Sequence, residues 1–119
     1  MKIKINGYIE NSELKEEHKI ETTGIKKDNI IIYSENDVKT KIIIKDNSLI
    51  LIRETNKFIM DIILEKDRQT EGKYYINELD KTITLNVNTN DLKIKENSIY
   101  AEYQINSAVI EYEITYKEM

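Results

Sequence analysis

The sequence predicts an all-β fold, a single antiparallel up-and-down β-barrel of about 8–10 strands. Three observations predict it. Apolar and polar residues alternate with period two along most of the chain, the period of a strand with one wet and one buried face. The apolar positions are filled by isoleucine (23 of 119 residues), tyrosine, valine and leucine, with threonine interleaved, a set in which β-branched and aromatic strand formers dominate. The junctions are short and rich in asparagine and aspartate, with no proline and only three glycines in the chain.

The elements follow in order. Ile3, Ile5, Gly7 and Ile9 alternate with Lys2, Lys4, Asn6 and Tyr8, which predicts a strand over 2–9. Residues 11–17 read as a loop, although Ser12 could cap a turn of helix through Leu14-Lys15-Glu16. Strands are then expected over 17–25, 29–34 and 38–46, the last with Val38, Thr40, Ile42 and Ile44 on one parity. Leu49 and Leu51 mark a strand at 48–54, and Phe58, Met60, Ile62 and Leu64 mark one at 57–65. Further strands are read at 68–77, 81–88, 91–96, 98–106 and 108–117, with one or two pairs in the whole series expected to be single bent strands. In the last two, Ile99, Ala101, Tyr103 and Ile105, then Ile110, Tyr112, Ile114 and Tyr116, share the apolar parity. Asp46-Asn47 and Glu96-Asn97 are two-residue junctions, and Asn and Asp tolerate the positive φ that tight hairpin loops require.

Many strands joined by short turns pair antiparallel. A single sheet of that length must curl shut or split into a sandwich, because free edges are a liability. Consecutive hairpins without long crossovers favour closure into a barrel, with residues 1–119 as one domain.

Composition excludes several functions. Without cysteine there is no disulfide, thiolate metal site or cysteine nucleophile, and one histidine cannot build a multi-His metal centre. The net charge of −4 gives no nucleic-acid footprint. The longest apolar runs, Ile30-Ile31-Ile32-Tyr33 and Leu49-Ile50-Leu51-Ile52, fall far short of the roughly 20 residues of a membrane helix. No signal-like block follows Met1, so a cytoplasmic location with no membrane partner is expected. The Ile, Lys and Asn excess is that of an AT-rich, bacterial genome.

The ordered strand motifs resemble a known family. They begin with Lys2-Ile3-Lys4-Ile5 running to Gly7, an acidic loop, and a strand ending at Gly24. Ile32-Tyr33-Ser34-Glu35 follows, then Thr40 ahead of Ile42 and Ile44, Leu51-Ile52-Arg53, the Phe58–Ile62 strand, Tyr74-Tyr75, and Val87-Asn88-Thr89 with Leu92. Over roughly residues 2–117 this pattern resembles the YwiB-like family of bacterial proteins, which implies a calycin-like (lipocalin-like) β-barrel and no particular activity. The family's tyrosine-glycine turn is Glu78-Leu79-Asp80-Lys81 here, without glycine, and the glycine after the Arg53 strand is also missing.

Candidate site residues are few. Arg53, one of two arginines in a lysine-rich chain, shares parity with Leu49 and Leu51. Facing inward it would pair bidentately with a ligand carboxylate, as arginines do in calycin barrels that hold carboxylate ligands; otherwise it pairs with Glu54, Glu35 or another acid. Tyr103, Tyr112 and Tyr116 lie on apolar parities and would either line a cavity or fill the core and rim. Tyr8, Tyr74 and Tyr100 are expected on the surface. His18 reads as a solvated imidazole, and no nucleophile motif accompanies it. Glu111 and Glu113 read as a wet strand face, and no acidic cluster forms a recognisable metal loop.

The expected function is a non-enzymatic binding module for a small apolar or amphipathic ligand, with no cofactor. The alternative is a protein-interaction or structural module acting through its outer face as a homodimer. Its motive is Ile43, Ile59 and Ile63, which fall on the otherwise polar parity. Nothing in the sequence supports an enzyme, for example a hydrolase with carboxylate chemistry; two carboxyl groups facing each other across a pocket mouth would reopen that reading.

Overall fold

A computed structural model describes residues 1–119. Its strands are β1 (Lys2–Asn11), β2 (Glu16–Lys27), β3 (Ile30–Glu35), β4 (Val38–Ile44), β5 (Ser48–Glu54), β6 (Phe58–Glu65), β7 (Gln69–Ile76), β8 (Lys81–Lys95), β9 (Ser98–Ile105) and β10 (Ala108–Glu118). Each pairs antiparallel with its sequence neighbours, and β1 pairs with β10, which closes the sheet into a ten-stranded up-and-down barrel. Residues 12–15 form a turn, not a helix.

The stretches 81–88 and 91–96 are one strand. Asn88-Thr89-Asn90 has the composition of a turn, yet β8 continues through it with a register irregularity against β9 between Thr89 and Asp91. A bulge lets a long strand bend around the barrel without ending.

Side chains turn the chain where glycine and proline do not. Asp28, Asn36, Asp37, Asp67, Asp80, Asn106 and Lys15 have positive φ, and no glycine does. Asn36 (φ 51°) and Asp37 (φ 64°) are the two central residues of the β3–β4 hairpin, the pattern whose twist matches flanking strands. Asp80 (φ 47°) takes the left-handed position in the glycine-free turn between β7 and β8. By contrast, Asp46, Asn47, Glu96 and Asn97, the junctions singled out for this role, keep negative φ. Glycine serves closeness instead: a Cβ on Gly7 would fall onto the Glu113 carbonyl of β10.

The expected inward parity holds through most of the barrel. Ile3, Ile5, Ile31, Ile42, Leu49, Leu51, Ile62, Leu64, Val87, Ile99 and Ile114 are fully buried in one cluster. Burying such a side chain stabilises the fold by about 1.5–3 kcal/mol. Ile83, which shares the parity of the buried Val87, is nevertheless 41% exposed, because the β7–β8 hairpin projects past the packed bore. Tyr74, expected on the surface, is half-buried and stacks on Phe58 with ring centroids 5.1 Å apart. The barrel is thus filled through its middle, and one end is left open.

Candidate functional site

The open end is the one carrying the β1–β2 and β3–β4 turns. A cavity of about 350 Å³ lies there. Ile9, Ile20, Val38 and Leu14 supply apolar wall, and Tyr33, Thr40, Arg53 and Tyr112 converge from deeper in the bore. His18, Glu16, Glu35, Asn11 and Asn36 ring the mouth.

Strand register places the polar group. Gly24 pairs with Tyr33, Tyr33 with Thr40, Thr40 with Arg53, and Arg53 with Met60. These residues form one inward row across five strands, so consecutive hairpins bring a phenol, a hydroxyl and a guanidinium side by side. Tyr112 reaches the row from β10, on the far wall. The hydroxyls of Tyr33 and Tyr112 lie 2.5 Å apart.

Two features of the row are unsatisfied. The Thr40 hydroxyl is buried beside the Tyr33 hydroxyl and has no hydrogen bond of good geometry. Arg53 takes part in none of the molecule's ion pairs and none of its side-chain hydrogen bonds; neither Glu54 nor Glu35 binds it. Glu54 is on the outward parity, opposite Lys39 of β4. A half-buried guanidinium with five donors and no acceptor is uncommon in a protein interior.

Burial keeps the phenols protonated. It raises Tyr33 above the ordinary value of 10.0, and raises Tyr112 well above it. Tyr103, behind the cavity wall, is pushed up to about 12 by burial, with Arg53 pulling the other way. Tyr33 and Tyr112 hold two hydroxyl protons and share one between them, so the second is free to be donated. Together with Arg53 and Thr40, this end of the bore is a cluster of donors facing a cavity.

The mouth has the opposite character. His18 Nε2 lies 2.6 Å from Glu35 Oε1, and the Glu21 N–H donates to Glu35 Oε2 at 3.0 Å. Burial acts to raise the Glu35 carboxyl, but the Glu21 N–H, His18 and Arg53 outweigh it and hold it below the usual carboxylate range. Asn36 Nδ2 sits 3.5 Å from His18 Nε2. No group of three or more His, Asp or Glu side chains is arranged to hold a metal ion.

Of the residues singled out from sequence, Arg53 and Tyr112 line the cavity and Tyr103 is buried behind it. Tyr116 is at the other end of the barrel, where its hydroxyl donates to the Glu96 carbonyl at 2.8 Å. His18 is 47% exposed by side chain but is bound to Glu35 at the mouth, not free in solvent. Tyr33 and Thr40 were visible only as parts of strand motifs. Their shared inward parity with Arg53, across two consecutive hairpins, is the signal that points to them.

No protein-family model matches the chain, and no curated protein sequence does. Among solved structures, the YwiB protein from Bacillus subtilis is similar at a TM-score of 0.71 and 18% sequence identity, over 99% of this chain and 90% of that one. This carries the likeness to YwiB seen in the strand motifs into three dimensions, and at that identity it establishes the fold.

Proposed function

We propose that the protein is a non-enzymatic binding module that holds a small amphipathic ligand with its anionic head on Arg53. The observation that carries this reading is Arg53 itself, half-buried beside a cavity and in direct contact with no acid, next to the buried hydroxyl of Thr40. A carboxylate would give both groups an acceptor, pairing with the planar guanidinium and taking hydrogen bonds from Thr40 and the free proton of the Tyr33–Tyr112 pair. The ligand's apolar part would lie against Ile9, Ile20 and Leu14. A cavity of about 350 Å³ is at the lower end for small-molecule sites, so the ligand is short. The bore is apolar inside and much of the outside is charged, the reverse of a lipid-facing barrel, which supports a protein surrounded by water, as the proposed cytoplasmic one would be.

Calorimetric titration with octanoate and 1-octanol tests the reading. Octanoate binds the natural protein, and Arg53→Met weakens it about 10- to 100-fold, the worth of one charge-assisted pair, while octanol changes little. Equal octanoate affinity in the two proteins, or no octanoate binding at all, refutes it.

A further inference from the structure

The outer face of β3–β6 carries a feature the cavity does not use. Ile30 pairs with Ile43, Ile43 with Ile50, and Ile50 with Ile63, a ladder of isoleucines running across four strands on the outward parity. Ile63 is 41% exposed, and the other three are half-buried. The next row reads Lys41, Ile52, Asp61 across β4, β5 and β6. Genome bias toward isoleucine does not account for the ladder, because the outward row on the other side of the barrel is Glu17, Glu10, Glu111, Glu102 and Asp91.

We infer that this face is a docking surface for a second copy of the same chain. Charge complementarity selects that occupant. A two-fold axis parallel to the strands and passing over β5 lays β4 of each copy on β6 of the other and keeps every row at its own height. Ile43 then meets Ile63, Ile50 meets Ile50 and Ile52 meets Ile52. In the same operation Lys41 of each copy meets Asp61 of the other. Within its own chain neither Lys41 nor Asp61 forms an ion pair, although Asp61 stands opposite Lys73 of β7 in the sheet, so Lys41 is the charge that only the second copy can match. The surface is therefore self-complementary in both apolar and charged rows, as an isologous interface requires. Strands of two sheets packed face to face stay within about 30° of each other, which the axis allows. Glu54 falls on Glu54 and marks where the contact ends.

Sedimentation of the full chain from about 10 µM to about 1 mM tests this. The natural protein is expected to sediment as a dimer, and Ile50→Lys as a monomer with an unchanged β spectrum. Lys41→Asp and Asp61→Lys, both surface changes that leave the core intact, each weaken dimerisation about tenfold or more, and the double variant K41D/D61K recovers it. A monomer throughout the range overturns the inference. So does a dimer that is unmoved by the single charge reversals, or a double variant no tighter than they are.

Discussion

The hydroxyl of Tyr33, from β3, meets the hydroxyl of Tyr112, from β10, at 2.5 Å across the open end of the barrel. These residues are 79 positions apart, and each is at most 5% exposed. Their contact ties two walls of the bore together and sets the floor of the cavity. Replacing either with phenylalanine leaves the other hydroxyl without its partner, at an expected cost of about 1–2 kcal/mol. Replacing both removes the orphan as well as the bond, so the double variant loses less than the two singles combined. Urea unfolding of the four proteins measures this coupling.

Thr40→Val separates stability from binding. The Thr40 hydroxyl is buried without a hydrogen bond of good geometry, so the ligand-free protein should gain about 0.5–1 kcal/mol on its removal. Octanoate affinity should fall in the same variant, because one donor to the carboxylate is gone. Denaturation and calorimetry on a single preparation show both changes.

Glu35 opposes an anion at Arg53. Glu35→Gln should tighten octanoate binding several-fold, and the gain should shrink with added salt. The same carboxyl makes stability fall in acid. Its pKa is lower folded than in the unfolded chain, so its contribution is present above about pH 4.5 and is lost as pH falls through the folded value. The difference in unfolding free energy between the natural protein and Glu35→Gln should therefore close in that window.

Alkaline pH acts with the opposite sign. Burial raises Tyr103 from 10.0 to about 12 and raises Tyr33 and Tyr112 as well. The unfolded chain gives up these protons first, so full stability holds below pH 10 and is lost as pH rises toward 12 and beyond. Tyr103→Phe should flatten part of that loss, as read by unfolding at stepped pH alongside tyrosinate absorbance.

The acidic row on β2, β1, β10, β9 and β8 is a built-in repulsion. Glu102 stands between Glu111 and Asp91. Like charges directly opposite on a sheet are unfavourable, so Glu102→Gln should stabilise by about 0.5 kcal/mol at low salt and less at high salt. Thermal unfolding at two ionic strengths measures it.

The barrel is largely legible in the alternation of residues. Ile3, Ile42, Ile62 and Ile114 point inward as their parity requires, and a strand slipped by one residue would expose them all. The bulge in β8 is not legible, because Asn88-Thr89-Asn90 has the composition of a turn and only the pairing with β9 distinguishes the two. The site is half legible. Parity and rarity identify Arg53, and parity identifies Tyr112. That Tyr33 lies opposite Tyr112 depends on the curvature and closure of ten strands, which no local pattern encodes. Tyr116 has the same parity as Tyr112 but sits four residues along β10, and that distance carries it to the far end of the bore.

The most direct test of an anion site at Arg53 is the NMR signal of its Nε–H during titration with octanoate. That signal is expected to shift together with the methyl groups of Ile9, Ile20 and Leu14 on one saturating curve. An Arg53 signal that stays fixed while octanoate binds, or shifts confined to isoleucines on the outer face, would contradict an anion site there.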